Sequence, residues 1–216
     1  MRKALIEKEV YKFEELNEEA QNRIIENEQE YWQDDFELCV QDFIEAKFPN
    51  SDLKYQFSLS CCQGDGFNFY GKIDIEDIVK IVSLSASEIK ILNDIDGYLQ
   101  FKKLCNTKYC YSMTFKDCFN IDNILSDIEH DYNAEPELFN YSFKKYGAVL
   151  NKILDELHNF FNKEEKNFEN LGYDMIYPSI ESCIADGVFD DYEYFENGEI
   201  FNEEVWNYEI FDSGRN

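Results

Sequence analysis

The residues in this sequence best suited to nucleophilic chemistry are the adjacent cysteines Cys61 and Cys62. On a strand their side chains would point to opposite faces, so that one is buried and the other partly exposed. A cysteine nucleophile also needs a neighbouring base, and the only histidines of the chain are His130 and His158. Both histidines fall on predicted helices, and no spacing brings either one to the cysteine pair. We therefore expect no catalytic residues and a protein that is not an enzyme.

The glycine-rich stretch QGDG at 63–66 is a second place where a ligand could bind, because such loops can hold anions or metal ions. It lacks the GxxxxGK[ST] and GxGxxG patterns of phosphate-binding loops, and no predicted helix follows it. We therefore expect a structural hairpin turn, in which the glycines supply positive φ angles.

The many carboxylates of this acidic chain are ligands that calcium prefers. An EF-hand loop needs oxygen ligands at its positions 1, 3 and 5, a glycine at 6 and a glutamate at 12. The frame around Gly97 places Leu92 at position 1 and Lys103 at position 12, and the frame around Gly198 places Phe195 at position 3. Both frames fail, and we expect no cofactor and no dedicated metal site. An enzyme would have to use carboxylates together with a metal ion.

The charge of the chain is its most unusual property. Its 46 acidic and 20 basic residues give a net charge of −26. Such a protein is repelled by nucleic acid and by anionic membranes, and it is attracted to basic proteins. The 44% of apolar residues are ample for a packed core of one sizeable domain.

The cysteine pattern and the first residues indicate a reducing compartment. The seven cysteines contain no CxxC pair, which is unlike a disulfide framework or a zinc site. The opening residues MRKALIEKEV lack the apolar run of a signal peptide, and no stretch approaches transmembrane length. We expect a cytoplasmic protein whose thiols are mostly buried.

Two acidic stretches are the strongest indication of function. Residues 13–46 carry twelve acids and one base, and residues 167–214 carry 13 acids and no base. Aromatic residues alternate with these acids, as they do in surfaces that dock on a groove lined by Arg and Lys. This arrangement can imitate the phosphates of DNA. The predicted partner-binding residues are Asp186, Asp190, Asp191, Glu193, Tyr194, Glu196, Glu199, Glu203, Glu204 and Trp206.

The elements that position these residues are predicted from hydrophobic periodicity. From Leu53 to Cys61 apolar and polar residues alternate, and the alternation resumes at Phe67, which predicts a β-hairpin. An initial strand is expected within 3–13, and a second strand pair at 98–104 and 109–115.

Helices are predicted around this sheet from apolar residues at spacings of three and four. Their expected ranges are 17–32 with Asn17 as N-cap, 34–47, 75–81, 86–92 with Ser85 or Ser87 as cap, 121–132, 141–171 with Gly172 as C-cap, and a helix from Pro178 to Gly187. The FENGEIF sequence at 195–201 predicts a small strand and turn. The sum is an α+β fold with a small, mostly antiparallel sheet, in which 1–187 forms one domain and 188–216 forms an acidic, aromatic C-terminal segment.

Three sequence pieces together resemble a family of small phage and prophage proteins, some of which carry an antitoxin-like label. The pieces are YKFEELNEEAQNRIIE from Tyr11, the strand ending in CCQGDGFNF, and YPSIESCIADGVFDDYEYFENGE near the C-terminus. They match an F-x-E-L-(S/N)-x-x-A helix start, an S-Q-G-D-G hairpin and an F-x-x-(D/N)-G ending. Cys62 stands where the family usually has Ser, and the tail after Phe201 extends past the usual ending.

The resemblance implies a mobile-element protein that acts in the cytoplasm of a bacterial host cell. By analogy with such proteins, we expect an inhibitor of a basic, nucleic-acid-binding defence protein, with a CRISPR effector as the leading partner. No direct binding to nucleic acid or to a membrane is expected. An antitoxin-like module that neutralises a basic protein partner is the alternative.

Overall fold

The fold combines long helices with a small sheet, as a computed structural model of residues 9–60, 65–94, 101–103 and 136–202 shows. This confirms the predicted α+β class. A 3-10 turn at Phe13–Glu15 comes first. The remaining elements, in chain order, are α1 Glu18–Lys47, β1 Asp52–Ser58, β2 Gly66–Ile73, α2 Ile75–Ile81, α3 Ala86–Asp94, β3 Phe101–Lys103, α4 Pro136–Ile176 and α5 Ile180–Ala185.

The sheet is antiparallel, with strand order β1-β2-β3. The predicted hairpin is confirmed, with Asp52 opposite Lys72 and Ser58 opposite Gly66. Because Gly66 pairs within β2 and has no positive φ, it does not serve as a left-handed turn residue. The turn residues 61–64 lie outside the described residues, and so do the predicted strand at 109–115 and helix at 121–132. Of the strand predicted at 98–104, the described residues 101–103 form β3.

Two residues make special contacts with the backbone of β2, Gly71 within the strand and Glu165 on α4. Gly71 has a φ of 124°, and a Cβ atom at this position would overlap the carbonyl oxygen of Asp52 across the hairpin. Only glycine fits a left-handed residue at such a close approach. β3 pairs with β2 only at residues 71–73 of β2, so it does not reach Phe69. The backbone N–H of Phe69 donates instead to the Glu165 carboxylate of α4 at 2.8 Å.

A single 30-residue helix, α1, replaces the two helices predicted at 17–32 and 34–47. No proline or glycine occurs between Asn17 and Lys47, so nothing interrupts the helix at its polar middle. The Asn17 side chain caps it by accepting a hydrogen bond from the N–H of Ala20 at 3.0 Å, as predicted. The initial strand is wrong for residues 9–13, of which only Tyr11 forms a bridge before the 3-10 turn begins.

Two weakly polar residues of α1, Tyr31 and Cys39, are exposed. Tyr31 has 67% of its surface exposed, and its neighbour Trp32 is the residue that packs inward. Cys39 is also exposed, against the expectation of buried thiols, whereas Cys183 is buried. Burial raises the pKa of the Cys183 thiol.

The short helices α2 and α3 are confirmed, and each has a capping side chain. Asp74 accepts a hydrogen bond from the N–H of Glu76 at 2.9 Å at the start of α2. Ser85 and Glu88 form a capping box at the start of α3, in which each side chain accepts a hydrogen bond from the other residue's N–H. Ser85 is therefore the cap, not Ser87.

Helix α4 is the longest element and runs for 41 residues, five beyond the predicted end at Leu171. Gly172 lies inside the helix and is not its C-cap. A glycine costs a helix only about 1 kcal/mol, and the buried Ile176 in the next turn offsets that cost. Pro178 explains why the helix ends where it does, because the residue before a proline disfavours the helical conformation.

The described residues form two compact units. Unit 1 consists of 9–36 and 173–202, and unit 2 consists of the described residues within 37–172. The predicted boundary after residue 187 stays a prediction.

The core of unit 2 is built from phenylalanine rings and from the apolar stripe of α4. Phe43 and Phe168 lie 5.0 Å apart between ring centroids, and Phe48 and Phe161 lie 5.5 Å apart. The predicted α4 stripe is confirmed by five buried residues, Leu150, Ile153, Leu154, Leu157 and Phe161. None of the helices in the described ranges has the length and apolar character needed to cross a membrane.

Candidate functional site

The acidic C-terminal segment is anchored to the beginning of the described chain by backbone pairing. Tyr194 forms antiparallel bridges with Tyr11 on one side and with Ile200 on the other. Tyr194 is only 1% exposed, although it was predicted to contact a partner. Its side chain belongs to a buried hydrophobic cluster that includes Phe13 and Phe189. Tyr194 is therefore a core residue and not a surface anchor.

A hydrophobic cluster fixes this segment against the first half of α1. Phe13 and Phe189 lie 4.5 Å apart between ring centroids, and Trp32 packs 6.2 Å from Phe189. The buried members of the cluster are Phe13, Leu16, Ala20, Ile24, Ile25, Cys183, Phe189 and Tyr194. Aromatic residues of the segment thus hold it in place, so its acidic residues are displayed from a rigid support.

The helix that leads into the segment, α5, begins at Ile180, two residues later than predicted. Ser179 is its N-cap, so Pro178 precedes the cap and does not form the first turn. Gly187 closes the helix as predicted, with a φ of 63° and with hydrogen bonds from Gly187 N–H to Ile184 and from Val188 N–H to Cys183. This is a Schellman motif. Ile184, predicted to face inward, is 39% exposed.

A small turn after Tyr194 confirms the prediction from FENGEIF. The N–H of Phe195 donates to the carbonyl of Glu199 at 2.8 Å, and the N–H of Gly198 donates to the carbonyl of Phe195 at 2.9 Å. The N–H of Phe201 then donates to Glu193 at 2.7 Å. Glu196 and Glu199, which lie on this turn, are exposed.

Most of the predicted acidic site residues lie on the surface of unit 1. The exposed ones are Asp186, Asp190, Asp191, Glu193, Glu196 and Glu199. Glu203, Glu204 and Trp206 lie outside the described residues. The sequence ranges 1–36 and 173–216 contain 23 acids and six bases, whereas 37–172 contains 23 acids and 14 bases. The negative charge is therefore concentrated in the part of the chain that holds the predicted residues.

The two basic residues described in unit 1 both hold the C-terminal segment. The Lys12 ammonium donates to the carbonyl of Asp190 at 3.3 Å and lies 3.7 Å from the Glu193 carboxylate. The Arg23 guanidinium donates to the carbonyl of Asn197 at 3.0 Å and to the Glu19 carboxylate at 3.2 Å. Two cations offset only a small part of the charge of the 18 acids in the described part of unit 1.

A cleft of about 610 Å³ lies beside these contacts within unit 1. The rings of Tyr11 and Phe195 line it, together with Arg23. Four acidic residues also line it, Glu9, Glu19, Glu196 and Glu199, and the remaining lining residues are Asn17, Ala20 and Asn197. The Tyr11 hydroxyl donates to Glu9 at 2.7 Å, and this hydrogen bond raises the pKa of Tyr11.

Sequence reasoning identified Glu196 and Glu199 but missed the other residues of the cleft. Arg23 could have been noticed from the sequence, since it is the only basic residue in 13–46, where there are twelve acidic residues. Nothing in the sequence indicated that Tyr11 lines the cleft, because Tyr11 pairs there with Tyr194, which is distant in the chain.

In the part of the chain that the structure describes, the cysteine and histidine candidates of the sequence are not brought together in a site. Cys61, Cys62 and His130 lie outside the described residues. His158 lies on α4, where its Nε2 atom is 3.0 Å from the Asn162 side chain. Within the described ranges, no group of three or more His, Cys, Asp or Glu residues could hold a metal ion.

Comparisons with protein families, with characterised proteins and with solved structures found no match for this chain. The resemblance to phage and prophage proteins therefore stays a prediction.

Proposed function

We propose that this protein is a non-enzymatic inhibitor of a host defence system, of the kind that phages encode. Its partner is a basic, nucleic-acid-binding protein, with a CRISPR effector as the leading candidate. The protein occupies the nucleic-acid channel of that partner and excludes the nucleic acid. The observation that supports this proposal is the concentration of exposed carboxylates on unit 1.

The physical basis is competition for the cations of the channel. Duplex DNA presents about one negative charge per 1.7 Å, and proteins bind it largely through Lys and Arg. The described parts of unit 1 carry ten acids in 9–36 and eight in 173–202, against two bases. Such a surface attracts the same Lys and Arg residues and accelerates the encounter.

Rigidity strengthens this competition. Phe189 and Tyr194 are buried in the cluster beneath the segment, so Asp190, Asp191 and Glu193 are held on an ordered backbone. A surface that is ordered before binding loses less conformational entropy when it docks. Glu203, Glu204 and Trp206 extend the proposed surface along the sequence.

The test uses charge reversal with a matched control. Asp190, Asp191 and Glu196 are changed together to Lys, and Glu193 is kept because it pairs with Lys12. The control reverses three exposed acids of unit 2, Asp42, Glu45 and Asp52, so the net charge of both variants is equal. Displacement of a labelled target duplex from a purified CRISPR effector–guide complex is measured for each protein.

We expect the natural protein to displace the duplex, the control variant to do so nearly as well, and the unit 1 variant to be weakened about tenfold or more. The association rate should fall when salt rises from about 50 mM to about 200 mM. Equal displacement by all three proteins would contradict the proposed surface. Restored plaque formation on an immune host supports a defence inhibitor, whereas growth rescue only from a co-expressed toxin would support the antitoxin-like alternative instead.

A further inference from the structure

We propose that the cleft beside Tyr11 and Phe195 receives one arginine side chain of the basic partner. This inference rests on the proposed function and specifies how unit 1 recognises its partner. The cleft volume of about 610 Å³ falls in the range of ligand-binding clefts, so the cleft has ample room for one arginine side chain.

The charge of the cleft selects a cation. Its lining includes four carboxylates and one guanidinium. Arg23 pairs with Glu19, and in the described part of the chain no basic side chain pairs with Glu9, Glu196 or Glu199. Three negative charges thus face a cavity that a cation can enter.

The acidic residues of the cleft do not form a metal site. Among the described residues, no three acidic, histidine or cysteine side chains converge closely enough to hold a metal ion. A guanidinium is planar and carries five N–H donors that point in different directions, so it can reach acceptors that do not converge on one point. An ammonium group concentrates its charge and is held more strongly by water.

The aromatic lining favours the same group. Tyr11 and Phe195 supply two rings to the cleft. Guanidinium groups bind to aromatic faces by cation–π attraction more often than ammonium groups do.

Arg23 shows that unit 1 already binds a guanidinium in this way. Its guanidinium donates to one backbone carbonyl, that of Asn197, and to one carboxylate, that of Glu19. An entering arginine would find the same two kinds of acceptor in the adjoining wall of the cleft, where Glu196 and Glu199 flank Asn197.

The direct test uses N-acetyl-arginine amide as a probe and the full-length protein labelled with ¹⁵N. The probe is titrated while the amide NMR signals are followed, and N-acetyl-lysine amide is titrated in parallel. The cleft variant changes Glu196 and Glu199 to Gln. The control variant changes Glu26 and Glu30, two exposed residues of α1 in unit 1, to Gln, so it loses the same two charges outside the cleft.

We expect the arginine probe to shift the signals of Tyr11, Arg23 and Phe195 with a Kd of about 1 mM, and the lysine probe to bind more weakly. The cleft variant should bind the arginine probe roughly fivefold more weakly, and the control should bind it as the natural protein does. Absence of shifts at these residues, equal affinity for both probes, or equal weakening in both variants would overturn the proposal.

The same measurements separate this inference from the proposed function. Duplex displacement that persists in a protein with no probe binding overturns the arginine cleft and leaves the inhibitor proposal standing. Probe binding in the cleft without any duplex displacement supports a guanidinium site and overturns the proposed partner.

Discussion

Tyr11 and Tyr194 exchange both of their backbone hydrogen bonds. The N–H of Tyr11 donates to Tyr194 at 2.8 Å, and the N–H of Tyr194 donates to Tyr11 at 2.9 Å. The two side chains have different environments, since the Tyr11 ring lines the cleft and the Tyr194 ring is buried. One backbone pair therefore connects the core of unit 1 to its candidate binding surface.

The Tyr194 hydroxyl should make the stability of the protein sensitive to alkaline pH. Burial, reinforced by the nearby Glu28 carboxylate, raises the pKa of Tyr194 from 10.0 to about 12. Its contribution to stability is therefore complete below pH 10 and is lost as the pH rises through about 12. We expect the Tm of Tyr194→Phe to decline less between these pH values than that of the natural protein.

Tyr31→Phe is the matched control for this measurement, because Tyr31 is 67% exposed. Thermal unfolding of the three proteins at pH 9, 10, 11 and 12 gives the comparison. If Tyr194→Phe follows the natural protein over this whole range, the buried hydroxyl does not control the alkaline transition.

The buried carboxylate of Asp77 should be essential for the stability of unit 2. It accepts hydrogen bonds from Asn50 N–H at 2.9 Å, from the Ser51 hydroxyl at 2.8 Å and from the Lys80 ammonium at 3.0 Å. Burial alone would raise the pKa of Asp77, but these hydrogen bonds outweigh burial and lower it. Asp77→Asn should reduce the free energy of unfolding by about 3 kcal/mol at pH 7, because its amide N–H groups would face other donors.

Urea unfolding of Asp77→Asn and of the exposed control Asp42→Asn measures this difference. Since the pKa of Asp77 is lowered, its stabilisation is present above the ordinary value of 3.8 and decreases as the pH falls below it. The gap between the natural protein and Asp77→Asn should therefore be smaller at pH 2.5 than at pH 6. A gap that is the same at both values would contradict this origin.

Glu88 should make a separate contribution to acid sensitivity. Hydrogen bonds from the N–H and hydroxyl of Ser85, followed by one from the Lys152 ammonium, lower the pKa of Glu88 from 4.5 to about 2. Its stabilisation is present above pH 4.5 and is lost as the pH falls through about 2. Glu88→Gln should therefore lose less stability than the natural protein between pH 6 and pH 2.5.

Urea unfolding at these two pH values avoids the low solubility expected near the pI of about 4.3. Glu45→Gln removes an exposed carboxylate from the same unit and should keep the pH response of the natural protein. An unchanged response in Glu88→Gln would show that the capping box does not depend on the charge of Glu88.

Gly71→Ala should be strongly destabilising. The new Cβ would require a left-handed conformation and would also overlap the Asp52 carbonyl, which belongs to the backbone and cannot rotate away. We expect a loss of about 3 kcal/mol or more in the free energy of unfolding. Ala148→Gly, at an exposed position of α4, provides a control that should cost about 1 kcal/mol. A loss no larger than this control, measured in urea, would mean that the hairpin adjusts at Gly71.

The elements that were predicted correctly are those whose sequence pattern lies within the element itself. Alternation from Leu53 predicted the hairpin, the spacing of Leu150, Ile153 and Leu157 predicted α4, and Gly187 predicted the end of α5. Helix boundaries were predicted less well, because a polar stretch at Gln33–Asp35 resembles a loop although nothing in it breaks a helix.

The candidate site could be predicted only in part. Its charge follows from composition, and so Glu196 and Glu199 were identified from the sequence. The alternating acids and aromatics around Tyr194 do not reveal which ring faces inward, because that depends on the pairing with Tyr11. The cleft likewise requires residues from two distant parts of the chain, which no local pattern brings together.

The hydrogen bond between Glu165 and the backbone of Phe69 has a consequence for self-association. An unpaired N–H on a strand is a place where a strand of another molecule can add, and such additions start aggregates. The Glu165 carboxylate occupies this donor at 2.8 Å and brings a negative charge to the same position. Helix α4 thereby protects β2 at Phe69 from intermolecular strand pairing.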